Sequence, residues 1–190
     1  MKTVIIDAGH GGLINGVYQT AGKRSPVWPD NTILYEGEFN RAVKARIIER
    51  LTAVRVPYID LVPEPLDISL NSRVERANKH ANNSFLISIH ANAGGGTGSE
   101  IFISPNASEK SQLIAAEAEK QYKKVFPGYR WRGIKKEKFT IIHKTRMPAA
   151  LFECFFMDNK KECNEILQTR SGRDFCADWI YNTIIESLFL

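Results

Sequence analysis

Two histidines in this sequence each close a short apolar run. His10 follows Val4-Ile5-Ile6-Asp7-Ala8-Gly9, and His90 ends Phe85-Leu86-Ile87-Ser88-Ile89. Either one alone reads as an ordinary strand-end residue. Two of the chain's four histidines at the ends of different runs make a shared task as good a reading as the structural one. In open α/β sheets, ligand sites form where loops leave the carboxyl ends of the strands. Imidazoles gathered there suit a metal, and a catalytic zinc takes three protein ligands and keeps one position open. Glu36 and Glu38, directly before a helical pattern, are the candidate third ligands. Each also has a bland reading as a carboxylate favoured at a helix N-terminus, and their spacing does not separate them. Glu153 is the most informative acid. It interrupts Ala149-Ala150-Leu151-Phe152 and Cys154-Phe155-Phe156, where an ionised carboxylate is costly unless it is paired or lies beside a metal. With no basic residue adjacent in sequence, it is a candidate site residue rather than half of a structural pair.

The elements that must hold these groups follow from periodicity. Val4–Ile6 predicts a buried strand that breaks at a glycine-rich turn. Gly9, Gly11 and Gly12 allow close backbone approach around His10, and neither a GxxxxGK[ST] nor a GxGxxG phosphate loop is present. Residues 13–35 carry two glycines and two prolines with no sustained period, which predicts a long loop of the kind that is usually functional. Phe39, Val43, Ile47 and Leu51 recur every four residues and predict a helix that Pro57 closes. A strand over 58–62, a polar helix over 69–82, a strand over 85–90 and another over 100–104 follow. Ile114, Ala118, Tyr122 and Val125 form one stripe of a helix over 109–126. Strands are expected at 139–143 and 149–156. A last helix opens at Ser171-Gly172-Arg173-Asp174, a variant capping box with Asp in place of Glu. Strands alternating with helices predict a single α/β domain over 1–190. Its sheet is mainly parallel and twisted, of about six strands, with helices on both faces.

A chain of 190 residues can bury a core without staples, and 43% hydrophobic with 25% charged residues excludes a disordered or fibrous chain. Three cysteines, an odd number, do not make a disulfide framework and read as reduced and buried. With 26 Lys and Arg against 21 Asp and Glu, the net charge of +5 only mildly favours polyanions. Much of that charge lies at 120–138, interleaved with Tyr122, Tyr129 and Trp131. A strip of this kind can serve as a binding module for nucleic acid or an anionic polymer, although a charged run is more often a solvated face. A cysteine hydrolase built on Cys154 with His143 is a further rival. Strand alternation puts Cys154 on the face opposite Glu153, and nothing nearby would lower its pKa. No run reaches the ~20 apolar residues of a membrane span.

The strings IDAGHGG, YEGEFN, RVERAN, SIHANA and PAALFECFFMDN occur in this order over residues 4–159. Together they resemble the zinc-dependent N-acetylmuramoyl-L-alanine amidases of the type-3 family. The resemblance implies a phosphorylase/hydrolase-like fold and one Zn²⁺ held by His10, Glu36 and His90. The first glutamate of E-x-x-x-N is the family's ligand, which selects Glu36 over Glu38, and the glutamate of PAxLxE, here Glu153, acts in catalysis. Asp7 and Asn92 are candidates to steady the two histidines, or else simple turn-capping side chains.

Peptidoglycan muramyl peptides are the implied substrate of an endolysin or autolysin. A monomer is expected, with neither nucleic acid nor membrane as partner. The chain departs from the family at Ala8, where proline is usual, and in its long stretch between His10 and Glu36, expected to shape the substrate groove. No cell-wall-binding repeat follows the catalytic strings. Only Val4–Ile6 precede Asp7, so no signal-peptide core is visible. The expectation is synthesis in the cytoplasm followed by release to the wall, or a signal segment already removed.

Overall fold

The computed structural model describes residues 2–190. In chain order the strands are β1 (Thr3–Ala8), β2 (Leu13–Ile14), β3 (Val17–Tyr18), β4 (Tyr58–Asp60), β5 (Ser84–Asn92), β6 (Ser99–Ile103), β7 (Trp131–Lys136) and β8 (Ala149–Phe156). The helices are α1 (Glu36–Ala53), α2 (Leu70–Asn78), α3 (Glu109–Val125), α4 (Thr140–His143), α5 (Lys160–Glu162) and α6 (Arg170–Ser187), with a π-helical turn at Cys163–Leu167 before α6. Six strands form one sheet in the order β4-β1-β5-β8-β6-β7, and β2 pairs with β3 in a small hairpin. All neighbours in the large sheet are parallel except β6 and β8, which run antiparallel. The expected mainly parallel six-stranded α/β sheet is therefore present.

Alternation along the central strands sorts the core into two layers. Val4, Ile6, Phe85, Ile87, Ile89, Ala150, Phe152 and Cys154 share one layer with residues of α1, α3 and α6. Ile5, Leu86, Ala149 and Leu151 face the other with residues of α2 and α4. By the same alternation Asp7, Ser88, His90 and Glu153 belong to the α2–α4 face. The α1 stripe of Phe39, Val43, Ile47 and Leu51 is completely buried, as its four-residue spacing requires.

The structure corrects three local expectations and adds one strand that no expectation covered. Residues 140–143 form a helical turn rather than a strand: Ile141 and Ile142 are both buried against α2 residues, which a strand's alternation would forbid. Residues 131–136, within the basic strip, are an edge strand beside β6. The cap of α6 is Thr169, whose hydroxyl accepts from Gly172 N at 3.0 Å, two residues before the expected box. Finally, the 13–35 segment is not wholly irregular, because it contains the β2–β3 hairpin.

Candidate metal centre and active site

The turn after β1 brings His10 back over the sheet with a left-handed backbone (φ 64°). This conformation costs a non-glycine residue roughly 1–2 kcal/mol, and the main chain here is firmly held. Arg73 Nη1 donates to the Ala8 carbonyl at 2.7 Å and Nη2 to the His10 carbonyl at 3.1 Å. Arg41 Nη1 reaches the same His10 carbonyl at 2.8 Å, and Asn40 Nδ2 donates to the Gly9 carbonyl at 3.0 Å. Arg73 is itself buried and paired with Asp7 Oδ1 at 2.6 Å, while Ser88 Oγ donates to Asp7 Oδ2 at 2.7 Å. Asp7 therefore steadies His10 through Arg73 and the backbone rather than by touching its ring. Asn92 also leaves the histidines alone: its Nδ2 donates to Glu100 Oε1 at 2.7 Å.

Glu36 opens α1 and is 2% exposed. Its Oε1 lies 3.1 Å from His10 Nε2 and 2.9 Å from His90 Nδ1. Glu38 turns away to accept from Leu13 N at 2.7 Å, fixing the start of the hairpin. The structure thus brings Glu36, not Glu38, to the two imidazoles. Two glycines permit the approach. A Cβ on Gly37 would come within 1.8 Å of the Gly11 carbonyl oxygen, and one on Gly9 within 2.1 Å of the His90 ring.

His10, Glu36 and His90 each offer one ligand atom, and these atoms all lie within 4.8 Å of one another. A buried carboxylate normally demands a cation, yet Glu36 forms no ion pair with a lysine or arginine among the described residues. Burial would raise its pKa, but hydrogen bonds from both imidazoles outweigh that and take it down to about 2. Burial alone would lower the pKa of His90, and its contact with Glu36 reverses the sign. Two imidazoles and one carboxylate with no permanent counter-charge fit a divalent cation, and this donor set is of the catalytic-zinc type.

Glu153 is the register partner of His90 across the parallel β5–β8 pair and of Glu100 across the antiparallel β6–β8 pair. Burial pushes its pKa up to about 8, with His90 opposing and the Glu36 and Glu100 charges adding to the rise. Its Oε2 is buried without a hydrogen-bond partner among the described residues. Glu153 lines a cavity of about 440 Å³ together with His10, Glu36 and His90. Beyond Glu153 the strand kinks: Phe155 takes a left-handed backbone (φ 56°), and the β5–β8 register shifts between His90 and Asn92. Glu162 holds that kink, accepting from Phe156 N at 2.9 Å and from Gly98 N at 2.7 Å.

Sequence reasoning left Arg41, Arg73 and Glu162 without roles. Arg73 carries one signal that could have found it, since it stands beside Val74 on the buried face of α2. The other two depend on contacts that no local pattern records. Cys154 is completely buried on the face opposite Glu153, and burial drives its thiol pKa well up. His143 pairs with Ser104 Oγ at 2.8 Å, so the cysteine–histidine arrangement has no support here. In the basic strip, Arg132 and Lys135 both pair with Glu100, and Tyr122 is buried. No helix of the described residues is long and apolar enough to cross a membrane.

The family model for N-acetylmuramoyl-L-alanine amidase matches residues 4–186. An uncharacterized cell wall amidase of Bacillus anthracis is 33% identical over 193 residues, covering 97% of this chain and 35% of that protein. The N-acetylmuramoyl-L-alanine amidase CwlM of Bacillus licheniformis is 29% identical over 168 residues, covering 87% of this chain and 61% of its own length. The chain thus spans about a third and about three fifths of these two relatives. Among solved structures, the catalytic domain of CwlV, an N-acetylmuramoyl-L-alanine amidase from Bacillus (Paenibacillus) polymyxa var. colistinus, superposes with a TM-score of 0.82. It is 28% identical, and the match covers 100% of this chain and 99% of that one. With a family match over nearly its whole length and this fold, the chain belongs to the N-acetylmuramoyl-L-alanine amidase family.

Proposed function

We propose that the chain hydrolyses the amide between the lactyl group of N-acetylmuramic acid and L-alanine in peptidoglycan. In this reading one zinc ion is held by His10, Glu36 and His90, and Glu153 is the general acid/base. The observation that carries it is the convergence of a His-Glu-His donor set and a buried, unpartnered Glu153 oxygen on one cavity. When bound, the ion supplies Lewis acidity, which makes water and an amide carbonyl reactive near neutral pH.

The chain's own residues do the rest. Glu153 takes a proton from the attacking water as its oxygen bonds to the lactyl carbonyl carbon. It then returns that proton to the alanine nitrogen as the C–N bond breaks, and the water's second proton passes from the new carboxyl to the amine, leaving a carboxylate and an ammonium group. A carboxyl whose pKa burial has already raised is suited to both halves of this exchange. Arg73 and Arg41 keep His10 in place by gripping its carbonyl, and Gly9 leaves room for the His90 ring.

The cell wall is the proposed place of action, in keeping with the name of the B. anthracis relative. We further propose that the domain works as a monomer on muramyl peptides, with neither nucleic acid nor membrane as partner. The test combines zinc content with chemical analysis of digested peptidoglycan. The expected result is one zinc per chain and new L-alanine amino termini without new reducing sugar ends. New reducing ends, or digestion that proceeds fully in metal-free protein, would overturn the reading.

A further inference from the structure

The cavity beside Glu153 is rich in negative charge at its floor, with Glu36 and Glu153, yet its rim carries two lysines, Lys23 and Lys138. They come from separate places in the fold. Lys23 sits in the loop leading into α1, on one face of the sheet, and Lys138 in the segment between β7 and α4, which packs on the other. Lys23 is fixed at its backbone, whose carbonyl accepts from Glu36 N at 3.0 Å, so its position is tied to the first residue of α1. The other cations near the cavity are committed: Arg73 to Asp7, Arg132 and Lys135 to Glu100. Neither Lys23 nor Lys138 forms an ion pair among the described residues. A second cavity of about 370 Å³ shares His10, Lys23, Leu70 and Ile141 with the first, so Lys23 stands where two stretches of one groove meet. The exposed side chains of Leu70 and Phe139 supply apolar wall next to both lysines.

A groove with one apolar wall and two lysines held in no ion pair, one of which (Lys23) lies close enough for its charge to act on Glu153, selects a ligand that is apolar near the reacting bond and anionic a short distance away. We propose that Lys23 and Lys138 bind a side-chain or α-carboxylate of the peptide attached to the scissile amide. The enzyme therefore selects peptides that carry a free carboxylate close to the scissile amide over those in which that carboxyl is amidated. This selectivity rests on the amidase reading above and adds a substrate class to it. Charge-assisted contacts of this kind are the ones whose loss is felt most when the ligand's charge is removed.

The test uses the zinc-loaded Glu153→Gln chain, titrated by calorimetry with two soluble muramyl-L-alanyl peptides. The two peptides differ only in whether the second residue's carboxyl is free or amidated. Small peptides exclude any contribution from anionic wall polymer. The free-acid form should bind about tenfold tighter, and raised salt should narrow the gap. Lys23→Gln and Lys138→Gln should each reduce the preference, and the double variant should abolish it. In the chain with Glu153 intact, the preference should appear in KM rather than kcat. Equal affinity for the two peptides, no binding of either, or a preference that survives the double replacement overturns the proposal. Release of the L-alanyl peptide by the intact chain is read separately. Cleavage without preference sinks the selectivity and leaves the amidase reading standing, whereas preferential binding without cleavage does the reverse.

Discussion

The His90 ring occupies the space that a side chain on Gly9 would need: a Cβ there would sit 2.1 Å from the ring's Cε1 and 2.4 Å from its Nε2. Gly9→Ala should therefore rotate or displace the imidazole while leaving the two core layers intact. Disturbing the support of a metal ligand typically costs about 10–100-fold in metal affinity. Zinc competition titration should show that loss with an unchanged far-ultraviolet dichroism spectrum. Wild-type zinc affinity in Gly9→Ala would show that the ring's position does not matter.

Glu153 and His10 should separate chemistry from metal binding. Glu153→Gln keeps the shape of the side chain but removes its proton-accepting oxygen, so turnover should fall roughly 10²–10⁴-fold with zinc still stoichiometric. His10→Ala should instead lose the metal. Zinc content by atomic absorption, measured beside amide hydrolysis, distinguishes them. Full zinc in His10→Ala would remove that residue from the ligand set.

Arg73→Met should be strongly destabilising, because Asp7 would remain buried with no cation. Breaking one half of a buried pair costs about 3–5 kcal/mol, which in a domain of this size lowers Tm by roughly 6–20 °C. Adding Asp7→Asn should recover part of the loss, since the remaining group is then neutral. Scanning calorimetry of the single and double variants checks this, and additive losses would contradict it.

Glu100 should shape acid stability. Burial would raise its pKa, but hydrogen bonds from Lys135, Arg132 and Asn92 prevail and hold it below the ordinary 4.5. A carboxyl depressed in the folded state stabilises above its unfolded pKa, and the stabilisation is lost as pH falls through the folded value. Below about pH 4.5, Glu100→Gln should therefore lose stability less steeply than the wild type, although it starts from a lower plateau. Urea midpoints from pH 2 to 7, on the order of that span, read the slope; parallel curves would exclude the effect.

Thiol and metal reagents should give opposite answers. Cys154 and Cys176 are completely buried, and burial raises the pKa of Cys154 well above the ordinary thiol value. Iodoacetamide should leave native activity intact, whereas a chelator should abolish it and added zinc restore it. Inactivation by iodoacetamide under native conditions would return the cysteine reading to contention.

What the sequence made legible was whatever repeats or interrupts a pattern locally. The spacing of Phe39, Val43, Ile47 and Leu51 announces α1, and β1, β5 and β8 read as apolar runs. Glu153 stands out because it breaks such a run. What stayed hidden depends on partners distant in the chain. Residues 140–143 are apolar and β-branched enough to mimic a strand, and only their packing against α2 makes them a helical turn. The strand at 131–136 is masked by its lysines and arginine. The choice between Glu36 and Glu38 came from a family string, since both lie in the first turn of one helix. Only the fold shows why: Glu38 is occupied with Leu13 N.

The edge strand β7 has a consequence of its own. An unpaired sheet edge exposes a row of amide and carbonyl groups on which another molecule's strand could nucleate. Here that edge reads Trp131-Arg132-Gly133-Ile134-Lys135-Lys136, its register with β6 slips between Ser99 and Ile101, and Gly133 turns to φ 95°. With Arg132 and Lys135 paired to Glu100, the charge of Lys136 and the irregular backbone both deny a clean template. The basic residues that first suggest a surface made for holding something thus also make this edge a poor seed for a further strand.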